Sequence, residues 1–322
     1  MKRTALIIGH TGQDGSYLSE LLEQRSYQVY GISSHHLLIP EEGLKIKQGS
    51  ITDPAYCDEI IQTLKPDEIY YLAAVHQSSI EKSHDDLPFN RLTIDVNANG
   101  LMNVLNSVLM HSKTSKVFFA SSSHVFSGSE SQSQSETTPY KPISIYGISK
   151  ILGMNYAELY REKGVFCSCG IFYNHESPRR DSKFVTKKIV ETAVSILNGE
   201  AEELVLGDLG AKIDWGYAPD YMLAAHLMLQ LNEPEDFIVS SGKLHTVKDF
   251  VEITFNYLKL DWQNYVRENK GIILKRSVTV LQGDNSKLKS LCNWSPSVTF
   301  KEMVELIVMA ELKKRGLSLK NS

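Results

Sequence analysis

Short apolar runs alternate with segments of helical periodicity through the first half of the chain. The runs that predict strands are residues 5–9, 28–33, 44–50, 68–74, 116–122 and 165–172. The segments with apolar residues at helical spacing are 16–26, 53–65, 96–112 and 143–163. Alternation of this kind is typical of α/β proteins, so we expect a doubly wound parallel sheet with right-handed crossovers.

After about residue 173 the rhythm loosens, and helices mix with short strands. This indicates a smaller mixed α/β lobe over the carboxyl edge of the sheet. We expect a sheet domain of residues 1–174 plus 213–245 and a substrate-binding lobe of residues 175–212 plus 246–322. The polar loop at 129–139 is a candidate lid.

Composition narrows the class of protein. The 322 residues carry a net charge of −4, which gives no reason to expect nucleic acid or an anionic membrane as partner. The four cysteines lack paired CxxC spacing, so we expect buried thiols and no metal site. No apolar run approaches ~18 residues and the first residues do not resemble a signal peptide, which favours a reduced, cytoplasmic protein.

A glycine-rich turn joins the first predicted strand to the first predicted helix. The stretch GHTGQDG places Gly9, Gly12 and Gly15 three residues apart. Glycines here allow a tight turn and close approach of a pyrophosphate, and the helix N-terminus offers free N–H groups and a positive dipole end. In this context the turn predicts a dinucleotide site.

The second predicted strand ends in QVYGISSHH, without the acidic residue that would hold the ribose of NAD or an arginine for the 2′-phosphate of NADP. Ser33, Ser34, His35 and His36 are residues that can bind a phosphate. We therefore expect NADP, with NAD as the alternative; a solvated polar loop is the other interpretation of these four residues.

Tyr146 and Lys150 stand four residues apart on the long predicted helix, so their side chains face the same way. A nearby ammonium favours a phenolate and lowers the tyrosine pKa. A phenolate beside a nicotinamide can take a hydroxyl proton while hydride leaves the same carbon. Ser122, at the end of the preceding strand, is expected to hydrogen-bond that hydroxyl.

With these residues in place, the sequence resembles the GDP-mannose 4,6-dehydratases of the extended short-chain dehydrogenase/reductase superfamily. The segments that carry the resemblance are GHTGQDGSYLSELL, KPDEIYYLAA, YGISK, FYNHESPRR, KFVTKKI, DWGYAPDY and LQGDNSK. The resemblance covers nearly the whole chain and implies a Rossmann-like fold. It also implies a lyase that forms a 4-keto-6-deoxy sugar by internal hydride transfer.

The resemblance implies that Tyr146 deprotonates the 4-hydroxyl of the sugar, a base removes the C5 proton, and the 6-hydroxyl leaves as water. In the family that base is a glutamate, which aligns with His124. A neutral imidazole can act as a base near neutral pH, although it is wider than a carboxylate. Either His124 takes the C5 proton, or it fills the space and elimination is lost.

Two family arginines that would grip the diphosphate are also replaced. One aligns with Ile213 and the other near Leu274, where Lys275 and Arg276 are possible substitutes. Residues 35–45 are shorter than the family's insertion. We expect a homodimer through the long helix, with a tetramer in doubt.

The expected contacts fall into three sets. The catalytic residues are Ser122, His124, Tyr146 and Lys150. Those expected to line the cofactor, besides Tyr146 and Lys150, are Gly9, Thr11, Gly12, Gln13, Asp14, Gly15, Ser33, Ser50, Ile51, Leu72, Ala73 and Ala74. Those expected to bind a GDP-linked nucleotide sugar are His76, Ser123, Asn174, Glu176, Arg180, Val185, Lys188 and Gly207. His76 is equally well interpreted as a core histidine.

Three functions remain open from the sequence. The first is a GDP-sugar 4,6-dehydratase that uses His124. The second is a GDP-sugar 4-reductase, 4-dehydrogenase or 4-epimerase, which needs no C5 base. The third is a cofactor-binding protein with little turnover, which the lost arginines favour and the intact Tyr146–Lys150 pair opposes.

Overall fold

The computed structural model describes residues 2–40, 46–76, 87–269, 271 and 280–318. Its strands are β1 Thr4–Ile8, β2 Gln28–Ile32, β3 Leu37–Leu38, β4 Glu68–Tyr71, β5 Lys116–Ser122, β6 Cys167–Phe172, β7 Asn174–Glu176, β8 Leu204–Leu206, β9 Lys212–Tyr217, β10 Asp236–Val239, β11 Leu244–Thr246 and β12 Val266–Glu268. Its α-helices are α1 Gln13–Gln24, α2 Pro54–Leu64, α3 Leu87–Ile94, α4 Gly100–His111, α5 Ile145–Arg161, α6 Val185–Leu197, α7 Ala218–Leu229, α8 Val247–Tyr257, α9 Trp262–Tyr265, α10 Ser286–Cys292 and α11 Phe300–Lys314.

The main sheet confirms the predicted doubly wound fold. Within the described residues it has seven strands in the order β10-β6-β5-β4-β1-β2-β3, all parallel except the last pair. The carboxyl ends of β1, β4 and β5 are therefore neighbours. This brings together the glycine turn, the segment that contains His76 and the segment that contains His124.

Apolar side chains cover both faces of this sheet, which is why its strands are apolar throughout. One core includes residues of α2, α4 and α5, and the other includes residues of α1, α7 and α10. A third core joins α6, α8 and α11 to the short strands β8 and β9. The division of the chain into two domains stays a prediction.

The strand predicted at 44–50 was wrong for the part that the structure describes. Residues 46–50 are irregular, and the place beside β2 is taken by the antiparallel strand β3. Ile46 alone turns into the core, whereas the side chain of Gln48 donates a hydrogen bond to the Ser33 carbonyl at 2.8 Å. Alternation over so few residues does not distinguish a strand from a loop with one buried anchor.

The helix predicted at 96–112 contains a π-helical turn, Asp95–Asn99, before α4 begins. Asn97 in this turn is fully buried. Its side chain bonds both backbone groups of Val75, at 2.7 and 3.1 Å, and the hydroxyl of Ser149 at 3.0 Å. The π-turn thus fixes the residues next to His76 and Lys150, as such turns often do near functional sites.

The polar loop at 129–139 is tied down, so the structure gives no support to a lid there. Gln134 is fully buried, accepts from the Tyr173 hydroxyl at 2.9 Å and forms a bridge with Gly283. The Glu136 carboxylate accepts from the backbone N–H of Ile238 on edge strand β10 at 2.8 Å.

Among the described helices, none has the length and apolar content needed to cross a membrane.

Candidate active site

The glycine turn has the geometry that close approach of a ligand to the backbone requires. Gly9 has φ +98, and a Cβ there would lie 2.8 Å from the Ala73 nitrogen. A Cβ on Gly15 would collide with the backbone of Gly9 and His10, and the Gly12 N–H donates to the Gly9 carbonyl at 3.1 Å. Since Gly12 itself is exposed at the start of α1, the turn leaves a bare backbone surface at a helix N-terminus.

The other residues predicted to line the cofactor lie along the same sheet edge. Leu72, Ala73 and Ala74 follow β4, and the Leu72 N–H donates to the Ile8 carbonyl at 2.9 Å. Ser33 closes the turn after β2. Thr11 is exposed, Gln13 and Asp14 begin α1, and Ser50 and Ile51 precede α2. Their contacts with a cofactor stay predictions.

Tyr146 and Lys150 lie in the first turns of α5, as the spacing predicted. The Lys150 ammonium is 5.6 Å from the centre of the Tyr146 ring and donates to the Ala120 carbonyl at 2.7 Å. Lys150 is only 2% exposed, so its charge is held in an apolar setting. Ser122, at the end of β5, lies beside the Tyr146 phenol and acts to lower its pKa.

In the protein alone, the Tyr146 phenol does not have the lowered pKa that the sequence led us to expect. Burial raises the pKa of Tyr146 to about 12, and this outweighs the opposing effects of the Ser122 hydrogen bond and the Arg180 charge. Burial also lowers the pKa of Lys150 to about 7. Burial of the phenol itself therefore keeps Tyr146 protonated, and the neighbouring Lys150, with its own lowered pKa, does not offset this.

His124, the residue in place of the family glutamate, lies in a short 3₁₀ turn, Ser123–Phe126, after β5. Its ring is perpendicular to that of Tyr146, with the ring centres 5.5 Å apart. Gly147 permits this approach, because a Cβ there would lie 2.7 Å from the His124 carbonyl oxygen. Burial lowers the pKa of His124, so the imidazole is neutral at neutral pH.

His76 completes a triangle of rings with Tyr146 and His124. Its ring centre is 4.7 Å from that of Tyr146 and 6.0 Å from that of His124, both edge to face. Burial lowers the pKa of His76 to about 3, and the nearby positive charges of Arg180 and Lys183 add to the effect. This places His76 at the candidate site, whereas the neighbouring Gln77 lies outside the described residues.

Phe184 connects these rings to the basic residues, and the sequence analysis missed it. The Phe184 ring stacks on the His76 ring, with 5.9 Å between the ring centres. The Arg180 guanidinium lies over the Phe184 ring, 3.5 Å from its centre, in a cation–π contact. Arg180 also pairs with the buried Glu176 carboxylate at 3.2 Å, which accepts from the Thr186 hydroxyl at 2.7 Å. The position of Phe184 between NHESPRR and VTKKI was the available signal.

Among the described residues, no side-chain contact joins the remaining predicted substrate residues to the rings of His76, His124, Tyr146 and Phe184, which we call the ring group. The backbone N–H of Lys188 does donate to the Phe184 carbonyl at 3.0 Å. Asn174 is exposed on β7, Val185 begins α6, and Gly207 follows β8. Lys188 donates to the Val205 carbonyl at 2.9 Å. Ser123 is buried at 1% exposure. Their roles as substrate ligands stay predictions.

Two neighbouring arginines have different partners. Arg179 reaches away from the ring group to α1, where it pairs with Glu20, donates to the Ser16 hydroxyl at 3.0 Å and lies over the Tyr17 ring. Of the two arginines, Arg180 is the one that faces the site. Ile213 packs against the third core, so no charge stands there, and the segment of Leu274, Lys275 and Arg276 lies outside the described residues.

The comparisons with known proteins identify the family. The model of the GDP-mannose 4,6 dehydratase family matches residues 6–307. The chain belongs to this family. GDP-mannose 4,6 dehydratase 2 of Arabidopsis thaliana is 39% identical over 332 residues, which cover 97% of this chain and 87% of that relative. The resemblance found in the sequence is thereby confirmed, and membership of this dehydratase family supports a nucleotide-sugar 4,6-dehydratase.

Solved structures confirm the Rossmann-like fold of this family member. RMD from Pseudomonas aeruginosa complexed with NADPH superimposes with a TM-score of 0.81 at 17% identity, covering 97% of this chain and all of that one (100%). dTDP-glucose 4,6-dehydratase from Bacillus anthracis in complex with NAD has a TM-score of 0.81 at 19% identity, covering 98% of each chain. At these identities the likeness is one of fold.

Proposed function

We propose that this chain dehydrates GDP-mannose or a closely related GDP-linked hexose to a 4-keto-6-deoxy sugar, with His124 in the place of the family glutamate. The observation that carries the proposal is the perpendicular pair of Tyr146 and His124, 5.5 Å between ring centres. Since C4 and C5 of a pyranose are bonded neighbours, a sugar lying against both rings offers its 4-hydroxyl to the phenol and its C5 hydrogen to the imidazole.

The glycine turn fits a nicotinamide dinucleotide, because its backbone at Gly12 is bare and opens on a helix N-terminus. Hydride removal from C4 and hydride return to C6 are the chemistry that bound NADP or NAD supplies. The residues of the chain manage the protons. Tyr146, beside Ser122, accepts the proton of the 4-hydroxyl in its phenolate form, which Lys150 stabilises when charged. Burial keeps the phenol protonated in the protein alone, and the positive ring of a bound oxidised cofactor would favour the phenolate.

His124 then acts on the ketone. Oxidation at C4 makes the C5 hydrogen acidic, and the neutral imidazole accepts that proton. It passes the proton to the 6-hydroxyl as the C6–O bond breaks, so water leaves and the imidazole is neutral again. Tyr146 then delivers to C5 the proton that it took from the 4-hydroxyl, which returns the phenol to its starting form.

Binding of the nucleotide part is proposed for Arg180, with Asn174 and Lys188 toward the phosphates and the base. Arg180 supports this because it stands half-buried next to the ring group and, within the described part of the chain, forms an ion pair with Glu176 alone. A homodimer through α5 is proposed as well, since Ile148 and Leu159 on that helix are 47% and 46% exposed. A cytoplasmic location stays a prediction.

Mass spectrometry in deuterated water tests the function. The protein is incubated with NADP⁺ and GDP-mannose, and the product is weighed. The proposal expects loss of one water and gain of one deuterium. Net reduction of the cofactor without water loss would instead establish a 4-dehydrogenase, or a 4-reductase acting in reverse. An isomeric sugar of the same mass, separated by chromatography, with no net change in the cofactor would establish a 4-epimerase. Cofactor binding with an unchanged sugar would leave a binding protein.

One observation favours the second candidate, a GDP-sugar oxidoreductase or epimerase without dehydration. Within the described part of the chain, no recorded hydrogen bond orients the ring nitrogens of His124; only its backbone is bonded, to Ser122 and Ser127. A general base usually has such a partner. The deuterium readout separates the two, because only dehydration requires exchange at C5.

A further inference from the structure

Two histidines meet at the end of the sheet where the first and second strands finish. His10 belongs to the glycine turn after β1, and His36 ends the hairpin after β2. The His10 Nε2 and His36 Nδ1 atoms are 2.8 Å apart, and the ring centres 4.9 Å. His10 is 8% exposed, whereas His36 is exposed.

The surrounding backbone is shaped for this pair. Gly31 on β2 leaves room for the buried ring, because a Cβ there would collide with the His10 imidazole. The hairpin is closed by the Ser33 N–H, which donates to the His36 carbonyl at 2.8 Å, and by the Ser33 hydroxyl at 3.2 Å. The pair therefore joins the glycine turn to a fixed hairpin.

The proton arrangement in the pair follows from burial. His10 Nδ1 is buried and has no hydrogen-bond partner among the described residues. The Ile32 carbonyl, which opposes the effect of burial on the pKa of His10, already accepts the backbone N–H groups of Gly9 and His10. A proton on Nδ1 would thus be a poorly satisfied buried donor. Burial, followed by the neighbouring His36, lowers the pKa of His10, so His10 is neutral with its proton on Nε2.

His10 Nε2–H then donates to His36 Nδ1. This fixes the proton of a neutral His36 on Nε2, the ring atom opposite the pair. If His36 gains a second proton, Nδ1–H donates back to His10, which must then move its own proton to Nδ1, and Nε2–H of His36 stays a donor. In both charge states the exposed ring offers an N–H group to an anionic acceptor.

We propose that the His10–His36 pair recognises the 2′-phosphate of NADP and makes the chain select NADP over NAD. In a doubly wound sheet the adenosine ribose of a dinucleotide lies at the end of the second strand, next to the glycine turn. The hairpin 33–36 reads Ser-Ser-His-His and has no carboxylate to hold the ribose of NAD or to repel a phosphate. The inference relies on the proposed function only for a nicotinamide dinucleotide as cofactor.

Equilibrium binding tests the pair without any turnover. Dissociation constants of NADPH and NADH are measured by protein-to-nicotinamide energy transfer for the wild type and for His36→Ala. The wild type is expected to bind NADPH at least about tenfold more tightly than NADH, the size of one hydrogen bond to a charged group. His36→Ala is expected to reduce this ratio toward one with little change for NADH.

Two further variants separate recognition from damage to the fold. His111→Ala removes a histidine on α4, outside the hairpin, and is expected to keep the wild-type ratio. Gly31→Ala displaces the His10 ring and is expected to lower the ratio while leaving His36 in the chain. Adenosine 2′,5′-bisphosphate, compared with 5′-AMP as competitor, is expected to show the same ranking.

Two results would overturn the inference: a wild type that binds NADH as tightly as NADPH, or a His36→Ala variant that keeps the wild-type ratio. Neither would touch the proposed dehydration, which fails only if GDP-mannose loses no water with either cofactor present. Conversely, a chain that selects NADP through His36 but performs no dehydration would support this inference alone.

Discussion

His175 Nε2 lies 2.9 Å from the Asp14 carboxylate, and this contact joins the cofactor turn to the segment that carries Arg180. His175 stacks on Tyr221 at 4.6 Å and uses its other ring nitrogen on the Tyr173 carbonyl. Gln13 strengthens the same junction by donating to the His175 carbonyl at 3.2 Å. These contacts fix the position of the glycine turn relative to the segment that carries Arg180.

The first prediction concerns the charge of this pair. Burial opposes both charged forms, but the pair prevails: His175 holds the pKa of Asp14 below its usual range, and Asp14 raises the pKa of His175. A raised histidine pKa stabilises the fold below the unfolded value of ~6.5 and ceases to do so as pH rises through the folded value. Asp14→Asn should remove this gain, so the free energy of unfolding at pH 5.5 should fall by about 1–2 kcal/mol more than at pH 8.

Urea unfolding at the two pH values measures this difference. The control is Asp58→Asn, which removes a more exposed pair with His111 at 3.5 Å and should change the pH dependence little. A pH dependence of Asp14→Asn equal to that of the wild type would show that the pair is uncharged.

The second prediction concerns Tyr146. Tyr146→Phe should lower kcat by about 10²–10⁴, the usual contribution of a general acid or base, with little effect on binding of GDP-mannose. Tyr140 is 37% exposed and lies outside the ring group. Tyr140→Phe should therefore leave kcat within about twofold of the wild-type value, because it removes no contact made in the transition state. Steady-state kinetics decide, and equal losses in both variants would contradict the role.

The third prediction separates the two adjacent arginines. Arg180→Gln should raise KM for GDP-mannose about tenfold or more, because it removes the guanidinium that lies 3.5 Å from the Phe184 ring centre and leaves Lys183 at 5.6 Å. Arg179→Gln should hardly change KM but should lower stability, because Arg179 contacts α1 through Ser16 and Tyr17. If Arg179→Gln raised KM more than Arg180→Gln did, the substrate would lie on the Arg179 side of the segment, next to α1.

The fourth prediction is the pH dependence of C5 exchange. Burial lowers the pKa of His124, so the imidazole stays neutral and basic to lower pH than an exposed histidine would. The exchange rate should therefore hold steady as pH falls through ~6.5 and decline only below it. Rates measured by NMR across this range would contradict the assignment if they fell by half above pH 7.

The sequence predicted those parts of the site that depend on local spacing. Gly9, Gly12 and Gly15 lie between a strand and a helix, and Tyr146 and Lys150 share one helical face, because both patterns are fixed by the backbone. The family resemblance added Arg180 and its neighbours. The predicted direction of the Tyr146 pKa shift was wrong because the spacing of Tyr146 and Lys150 does not show how deeply the phenol itself is buried.

What the sequence did not predict depends on contacts between distant segments. His76, His124 and Phe184 belong to three elements, and their contact follows from the order of β4 and β5 in the sheet and from the way α6 approaches it. The His10–His36 bond likewise needs β1 beside β2 and a glycine at position 31. Residues 46–50 form no strand because β3 is the edge strand beside β2. A short apolar pattern does not predict which of two segments takes that place.

The most direct test of the central claim, that His124 is the base at C5, is position-resolved NMR of the sugar in deuterated water with wild type and His124→Ala side by side. The account predicts deuterium at C5 of a 4-keto-6-deoxy product from the wild type. It predicts none from His124→Ala, although that variant should still exchange hydride with the cofactor. A His124→Ala variant that forms the same deuterated product at the wild-type rate would contradict it.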